Sequence, residues 1–141
     1  MIFSMLYPSL TFIFLLVSSF GRQTSPISIY PKRKQQWSSA GLFVTSGQVG
    51  TDIDGQIPSS LNDQVTNTFE NIKKILESEG LNEEHVIKVN IWATEEIDWD
   101  HLYPQWDTIF KTAYPSMTIA YVSALGWPEL KIEIELWCAD I

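Results

Sequence analysis

From residue 130 to residue 138 the sequence alternates without a break. Leu130, Ile132, Ile134, Leu136 and Cys138 fall on one parity, and Lys131, Glu133, Glu135 and Trp137 on the other. A period of two cannot give one face of a helix, so this stretch is a strand with one buried face and one polar face. Residues 118–125, just upstream, are rich in β-branched and aromatic side chains. Gly126, Trp127, Pro128 and Glu129 supply turn chemistry between the two runs, since glycine takes positive φ and proline presets φ near −65°. The two runs together predict a β-hairpin, and the remaining chain must supply the apolar layer that covers its buried side.

The other elements supply that layer. Residues 42–46 are β-prone, and residues 56–57 predict a second short strand after the turn at Asp52, Ile53, Asp54 and Gly55. An Asp-x-Asp-Gly string invites a calcium reading, but the third oxygen ligand and the distal glutamate of a calcium loop are missing, so a plain turn is expected. Ser59 or Ser60 caps a helix whose Leu61, Val65, Phe69, Ile72 and Leu76 form one apolar stripe, ended by Gly80. Residues 86–93 predict a strand, with Ile87, Val89 and Ile91 alternating against Lys88 and Asn90. Asp98 is a good cap for a second helix with Trp99, Leu102, Tyr103, Trp106, Ile109 and Phe110 on its buried face. Pro104 predicts a short first turn followed by the main helix, because an interior proline removes a hydrogen bond. Tyr114 and Pro115 end it. The order predicts an α+β domain, a mixed β-sheet with two helices on one face.

At 141 residues the chain fits one domain. The net charge is −8, and from residue 35 onward five lysines face all seventeen acids. Such a surface repels phosphate, so no nucleic-acid partner is expected. The cluster Pro31-Lys-Arg-Lys34 reads as a solvated tail. Residues 1–21 carry an apolar run and then small residues, as a signal peptide does, but lack its initial positive charge. The run is short for a membrane span, so no stable membrane insertion of the folded domain is expected. These residues are expected to be a signal peptide or a dispensable N-terminal extension, residues 22–39 a linker and first strand region, and residues 40–141 the working domain. Export follows if residues 1–21 are a signal, and a cytoplasmic location if they are not. A single cysteine, Cys138, cannot form an internal disulfide and decides nothing about compartment.

The stretch Lys131-Ile-Glu-Ile-Glu135 resembles the C-terminal signature of the RidA (reactive intermediate deaminase, YjgF) family. The resemblance continues through Leu42-Phe-Val-Thr-Ser-Gly-Gln-Val-Gly50, the Asp54-Gly55 turn, Phe69-Glu-Asn-Ile-Lys-Lys-Ile-Leu76, Val86-Ile-Lys-Val-Asn-Ile91 and the aromatic-rich residues 98–110. It implies a chorismate-mutase-like fold, a homotrimer, and small-molecule clefts between neighbouring subunits. The implied reaction is hydrolysis of enamines and imines to a keto acid and ammonia, without a cofactor. It assigns water activation to Glu133, places Ser46 and Gly47 in the cleft lining, and sets Tyr103 where the family often has Asn. A family Tyr near the N-terminus finds only Tyr30 or Trp37 as approximate counterparts. The family's carboxylate-binding Arg, two residues after Pro115, is replaced by Met117.

Weighed as bare residues, several of these have simpler readings. Alternation alone makes Glu133 a solvated strand residue, and only the resemblance makes it catalytic. Glu135 reads as solvated. Ser46 has no neighbouring base that would make it a nucleophile. His85 and His101 lack a third ligand at metal spacing, so no metal site is expected. Cys138 shares parity with the apolar set and is expected to be buried. Met117 cannot bind a carboxylate, and no arginine occurs after residue 35, leaving Arg33 or a tail lysine as substitutes. Met117 and Glu133 are expected to meet in one pocket from adjacent strands. Two functions follow: a divergent imine hydrolase with weak or absent standard 2-aminoacrylate activity, or a non-catalytic trimer that binds a small ligand or a protein.

Overall fold

A computed structural model of the chain describes residues 41–139. Residues 1–21 and the whole of the 22–39 segment, with Tyr30, Arg33 and Trp37, lie outside the described residues. The alternating stretch forms β5 (Ile132–Ala139), and the sheet is assembled on both sides of it. On one side β5 pairs antiparallel with β1 (Leu42–Val44) and β2 (Gln48–Val49). On the other it pairs antiparallel with β3 (Val86–Ala93), which pairs parallel with the edge strand β4 (Ser116–Tyr121).

The expected hairpin is therefore not formed. β3 lies between β4 and β5, because its own apolar parity (Val89, Ile91, Ala93) makes it a central strand that takes a neighbour on each side. The turn residues still turn the chain, with Leu130 N–H donating to the Trp127 carbonyl at 3.1 Å, but they sit in a connection that passes the end of β3. That passage stays tied to the ladder: Val122 N–H donates to Ala93 O and Thr94 N–H to Lys131 O, each at 2.9 Å. The resulting sheet is mixed, as expected.

Helix α1 (Leu61–Ser78) begins at Ser60, whose hydroxyl accepts from Asp63 N–H. It ends in a Schellman motif: Gly80, at φ 70°, donates to Glu77 O, and Leu81 donates to Leu76 O. Val65, Phe69, Ile72 and Leu76 are buried as the stripe predicts. They pack with Phe43, Val89, Ile91, Ile132, Ile134, Leu136 and Cys138 into one core. Fully burying one such side chain contributes about 1.5–3 kcal/mol.

Helix α2 (Trp99–Trp106) starts at Asp98, whose carboxylate accepts from His101 N–H. It is one continuous helix, so Pro104 sits in its interior rather than opening a main helix. The carbonyl that loses its donor belongs to exposed Asp100, where solvent replaces the bond. Leu102, Trp106, Ile109 and Phe110 are buried, and Trp99 packs against the core from its margin. Tyr103 does not join them: it is 53% exposed.

Ile87 also departs from its expected parity. A bulge between Val86 and Lys88 turns it to solvent, since an extra residue on one strand reverses the alternation around it. Residues 56–57 form no strand. Instead Asp52 organises the loop, its Oδ1 accepting from Asp54 N–H at 2.9 Å and Gln56 N–H at 2.8 Å, with Gly55 at φ 78°. This is the plain turn. No helix among the described residues is long and apolar enough to cross a membrane.

Candidate active site

The register fixes which side chains share a face. Ile132, Ile134, Leu136 and Cys138 of β5 point into the helix-backed core, so Glu133, Glu135 and Trp137 point to the opposite face. Trp92, Asn90 and Lys88 of β3 lie opposite these three in turn. Thr118 and Ala120 of β4 continue the same face, by their pairing with Asn90 and Trp92.

On the other side of β5, the junction of β1 and β2 carries a bulge. Val44 pairs with Trp137 and Gln48 with Ile134, so three residues, 45–47, stand against two. Thr45 closes the inner side, its Oγ1 accepting from Leu136 N–H at 2.9 Å. Buried Gln48 orders the rest: its Nε2 donates to Ser46 O at 2.8 Å and Ser46 Oγ at 3.2 Å. The bulge brings Gly47 under the Glu133 side chain. A Cβ built on Gly47 would lie 1.6 Å from Glu133 Oε1 and 2.3 Å from its Cδ. The carboxylate thus occupies space that only glycine leaves open.

Helix α1 anchors this arrangement from behind. Asn71 Nδ2 donates to Val49 O and Thr51 O at 3.1 and 3.0 Å, and Asn67 Nδ2 to Gly50 O at 3.2 Å. Gln64 is wholly buried and uses its amide fully: Nε2 donates to Pro58 O and Glu129 O, and Oε1 accepts from Lys131 N–H. Gly50 packs so closely on the Gln64 backbone that a Cβ there would meet the carbonyl oxygen at 2.2 Å. The approach to β5 and the end of β2 are both pinned to two successive turns of α1. The sequence-level apolar stripe skipped these amides. Their signal was polarity at positions flanking the stripe.

Glu133 is half-buried, and its carboxyl is pushed up from the ordinary 4.5, chiefly by burial and secondarily by the charge of Glu135. A carboxyl that keeps its proton closer to neutrality can both accept and return one, which suits general acid–base work. Cys138, on the core face, has its thiol pushed up to about 11 by burial and is no nucleophile. No group of three or more metal-ligating side chains occurs among the described residues. His101 bridges the helices, its Nε2 lying 2.9 Å from Thr66 Oγ1 and 3.0 Å from Asn62 O.

Gly47 and Glu133 come together, with Ser46 next to Gly47 in the bulge and bonded to Gln48. Tyr103 and Met117 do not join them within one protomer. Tyr103 stands on α2, its ring 5.6 Å from that of Trp99. Met117, 39% exposed, pairs with core-facing Val89 and so projects from the face opposite Glu133. The expectation that Met117 and Glu133 meet from adjacent strands fails for a single chain. β3 separates their strands, and the pleat sends them to opposite sides.

The sheet, its two helices and the glycine-seated glutamate define a RidA-type α+β domain. The family described as Endoribonuclease L-PSP matches residues 27–139, and the chain belongs to that family, which includes the RidA/YjgF proteins. A RutC family protein of Aquifex aeolicus is 30% identical over 113 residues, covering 79% of this chain and 87% of that one. TdcF of Escherichia coli K12, named as a candidate reactive intermediate deaminase, is 30% identical over 98 residues, covering 67% of this chain and 75% of that one. The crystal structure of E. coli TdcF with bound serine matches with a TM-score of 0.69 at 27% identity, covering 86% of this chain and 97% of that one. RidA from an Antarctic Psychrobacter matches with a TM-score of 0.69 at 26% identity, covering 84% of this chain and 100% of that one.

Proposed function

We propose that this protein is a divergent RidA-like hydrolase of imine or enamine C–N bonds, working as a homotrimer with its small-molecule cleft between subunits and with little or no activity on 2-aminoacrylate. The observation that carries this reading is the seat of Glu133. A half-buried carboxyl with raised proton affinity, held over Gly47, is suited to activate a water and return its proton to a leaving amine. Ser46 and Gly47 line that cleft. Tyr103 and Met117 reach it from a neighbouring copy, since the two faces of one sheet keep them apart from Glu133 within a chain. Trp137, 40% exposed on the open face, favours cover by another copy.

Met117 sets the limit on substrate. A guanidinium pairs bidentately with a carboxylate, and a thioether cannot. The named ligand of the TdcF structure, serine, carries such a carboxylate. Among the described residues a small carboxylate entering beside Glu133 meets like charge and no paired cation, which favours its rejection by repulsion and desolvation. The same charge balance weighs against a nucleic-acid substrate, since the chain carries −8 overall.

A second reading keeps the trimer and the cleft but drops the chemistry: Met117 leaves a partly apolar pocket suited to binding a small ligand without turnover. Two measurements separate these. Light scattering should give three times the protomer mass; a stable monomer at micromolar concentration contradicts the shared cleft. Ammonia release should be followed from imines generated in situ, with and without a carboxylate. Turnover confined to carboxylate-free imines supports the hydrolase, and none with either class favours the binding protein.

A further inference from the structure

Glu133 has a same-face neighbour two residues along β5. Both Asn90 Nδ2, at 3.2 Å, and Trp137 Nε1 donate to a single oxygen, Oε1, of Glu135. The two donors come from β3 and from β5 itself, so the position of that carboxylate is fixed from two directions. A strand rises about 3.3 Å per residue, which sets the two glutamates roughly 6.5 Å apart along one face. The other charged groups on or beside this face are directed elsewhere. Lys131, two residues before Glu133, is in an ion pair with Glu95. Lys88, opposite Trp137, donates to Thr118 Oγ1. β1, β2 and the 45–47 bulge contribute no charged side chain. Among the described residues, Glu135 is the charge left to act on Glu133.

We propose that Glu135 is a positioning residue for the site: Asn90 and Trp137 hold its carboxylate on the open face of β5 beside Glu133, where its fixed charge acts on the Glu133 carboxyl. The pair then divides the work. Glu135 stays bound to its two donors, and Glu133, seated over Gly47 with no cation of the described residues paired to it, exchanges its proton with whatever occupies the cleft. The direction of the Glu133 shift agrees, with Glu135 as its second cause after burial. The inference deepens the proposed hydrolase and rests on that reading for its catalytic meaning, but its physical content needs no substrate.

The test is a titration of glutamate side-chain carboxyls by carbon NMR in the whole protein, with Glu133 assigned through Glu133→Gln. Glu135→Gln keeps an acceptor for Asn90 and Trp137 and removes the charge. It should lower the Glu133 midpoint by about half a pH unit or more, the size expected for a like charge at this distance near a surface. An unmoved midpoint in a folded Glu135→Gln protein overturns the proposal. Should that variant fail to fold, salt provides the second readout on the unmodified protein. Raising NaCl from about 0.1 to about 1 M shortens the screening length from about 10 to about 3 Å, so it should lower the midpoint if Glu135 acts on it. A midpoint indifferent to salt leaves burial as the sole cause and also overturns the proposal. A lowered midpoint in a protein that hydrolyses no imine would refute the hydrolase and leave the electrostatic pair standing.

Discussion

The two faces of β5 follow opposite rules within eight residues. On the core face, Ile132, Ile134 and Cys138 have no exposed surface, and their neighbours are apolar side chains of α1, β1 and β3. On the open face, Glu133, Glu135 and Trp137 are half-buried or exposed and meet amides, a glycine and one another. The core face stabilises the strand, and any apolar side chain of matching volume would serve it. The open face depends on particular atoms: one glycine without a Cβ, one amide aimed at Glu135, one indole N–H. Loss on the first face should appear as stability, and loss on the second as altered protonation or chemistry with the fold intact.

The largest effect should come from the core face. Ile134→Ala removes a wholly buried side chain from the middle of the sheet and should cost about 2–5 kcal/mol, measured by urea denaturation. A cost below about 1 kcal/mol would mean that the face is not the close-packed core described. The two close-approach glycines sharpen the contrast. A Cβ on Gly50 meets Gln64 backbone, which cannot move without α1, so Gly50→Ala should cost about 1–3 kcal/mol. A Cβ on Gly47 meets only the far end of the Glu133 side chain. Gly47→Ala should therefore be far milder in the same denaturation assay, while expelling the carboxylate into solvent. In the carboxyl titration its Glu133 midpoint should fall toward the ordinary 4.5. Equal stability losses for the two glycines would erase the distinction between the faces.

The smallest effect concerns pH. Burial raises the Glu133 carboxyl, so the folded chain holds this proton more tightly than the unfolded chain does. The slope of stability against pH from this group is then negative between the unfolded and folded values, and its penalty is complete above the folded value. Glu133→Gln should abolish that slope and be at least as stable as the unmodified protein at neutral pH. Denaturation midpoints at pH 4 and pH 7 give the comparison, and a larger loss of stability at pH 7 than at pH 4 would contradict it.

What the sequence made legible follows the same division. Parity exposed the core face of β5, spacing exposed the stripe of α1, and Ser60, Gly80 and Asp98 marked helix ends, because each is a local rule acting over a few residues. Strand neighbours are set by long-range competition. The turn at residues 126–129 was legible, yet β3 took the place beside β5 that a hairpin would have given to β4. The bulges were hidden for a related reason: nothing local in Ile87 or in residues 45–47 announces an extra residue against the partner strand. Glu133 was reachable through resemblance. Glu135, by the same alternation, read as solvated; its bond from Asn90 depends on the cross-strand register, and its bond from Trp137 on the two residues sharing one face of β5. Tyr103 fell on the apolar stripe of α2 by spacing, yet it stays exposed while Leu102 and Trp106 of the same helix are buried.

The replacement at residue 117 is the most direct test of the whole account. Unmodified protein and Met117→Arg should be assayed side by side for ammonia and keto-acid release from 2-aminoacrylate generated in situ, after light scattering confirms the same assembly. Release by the unmodified protein should be negligible and release by Met117→Arg measurable, since a guanidinium at residue 117 would supply the carboxylate anchor that a thioether cannot. Unmodified protein as active as an arginine-bearing relative would contradict the account, as would an intact Met117→Arg trimer that gains nothing.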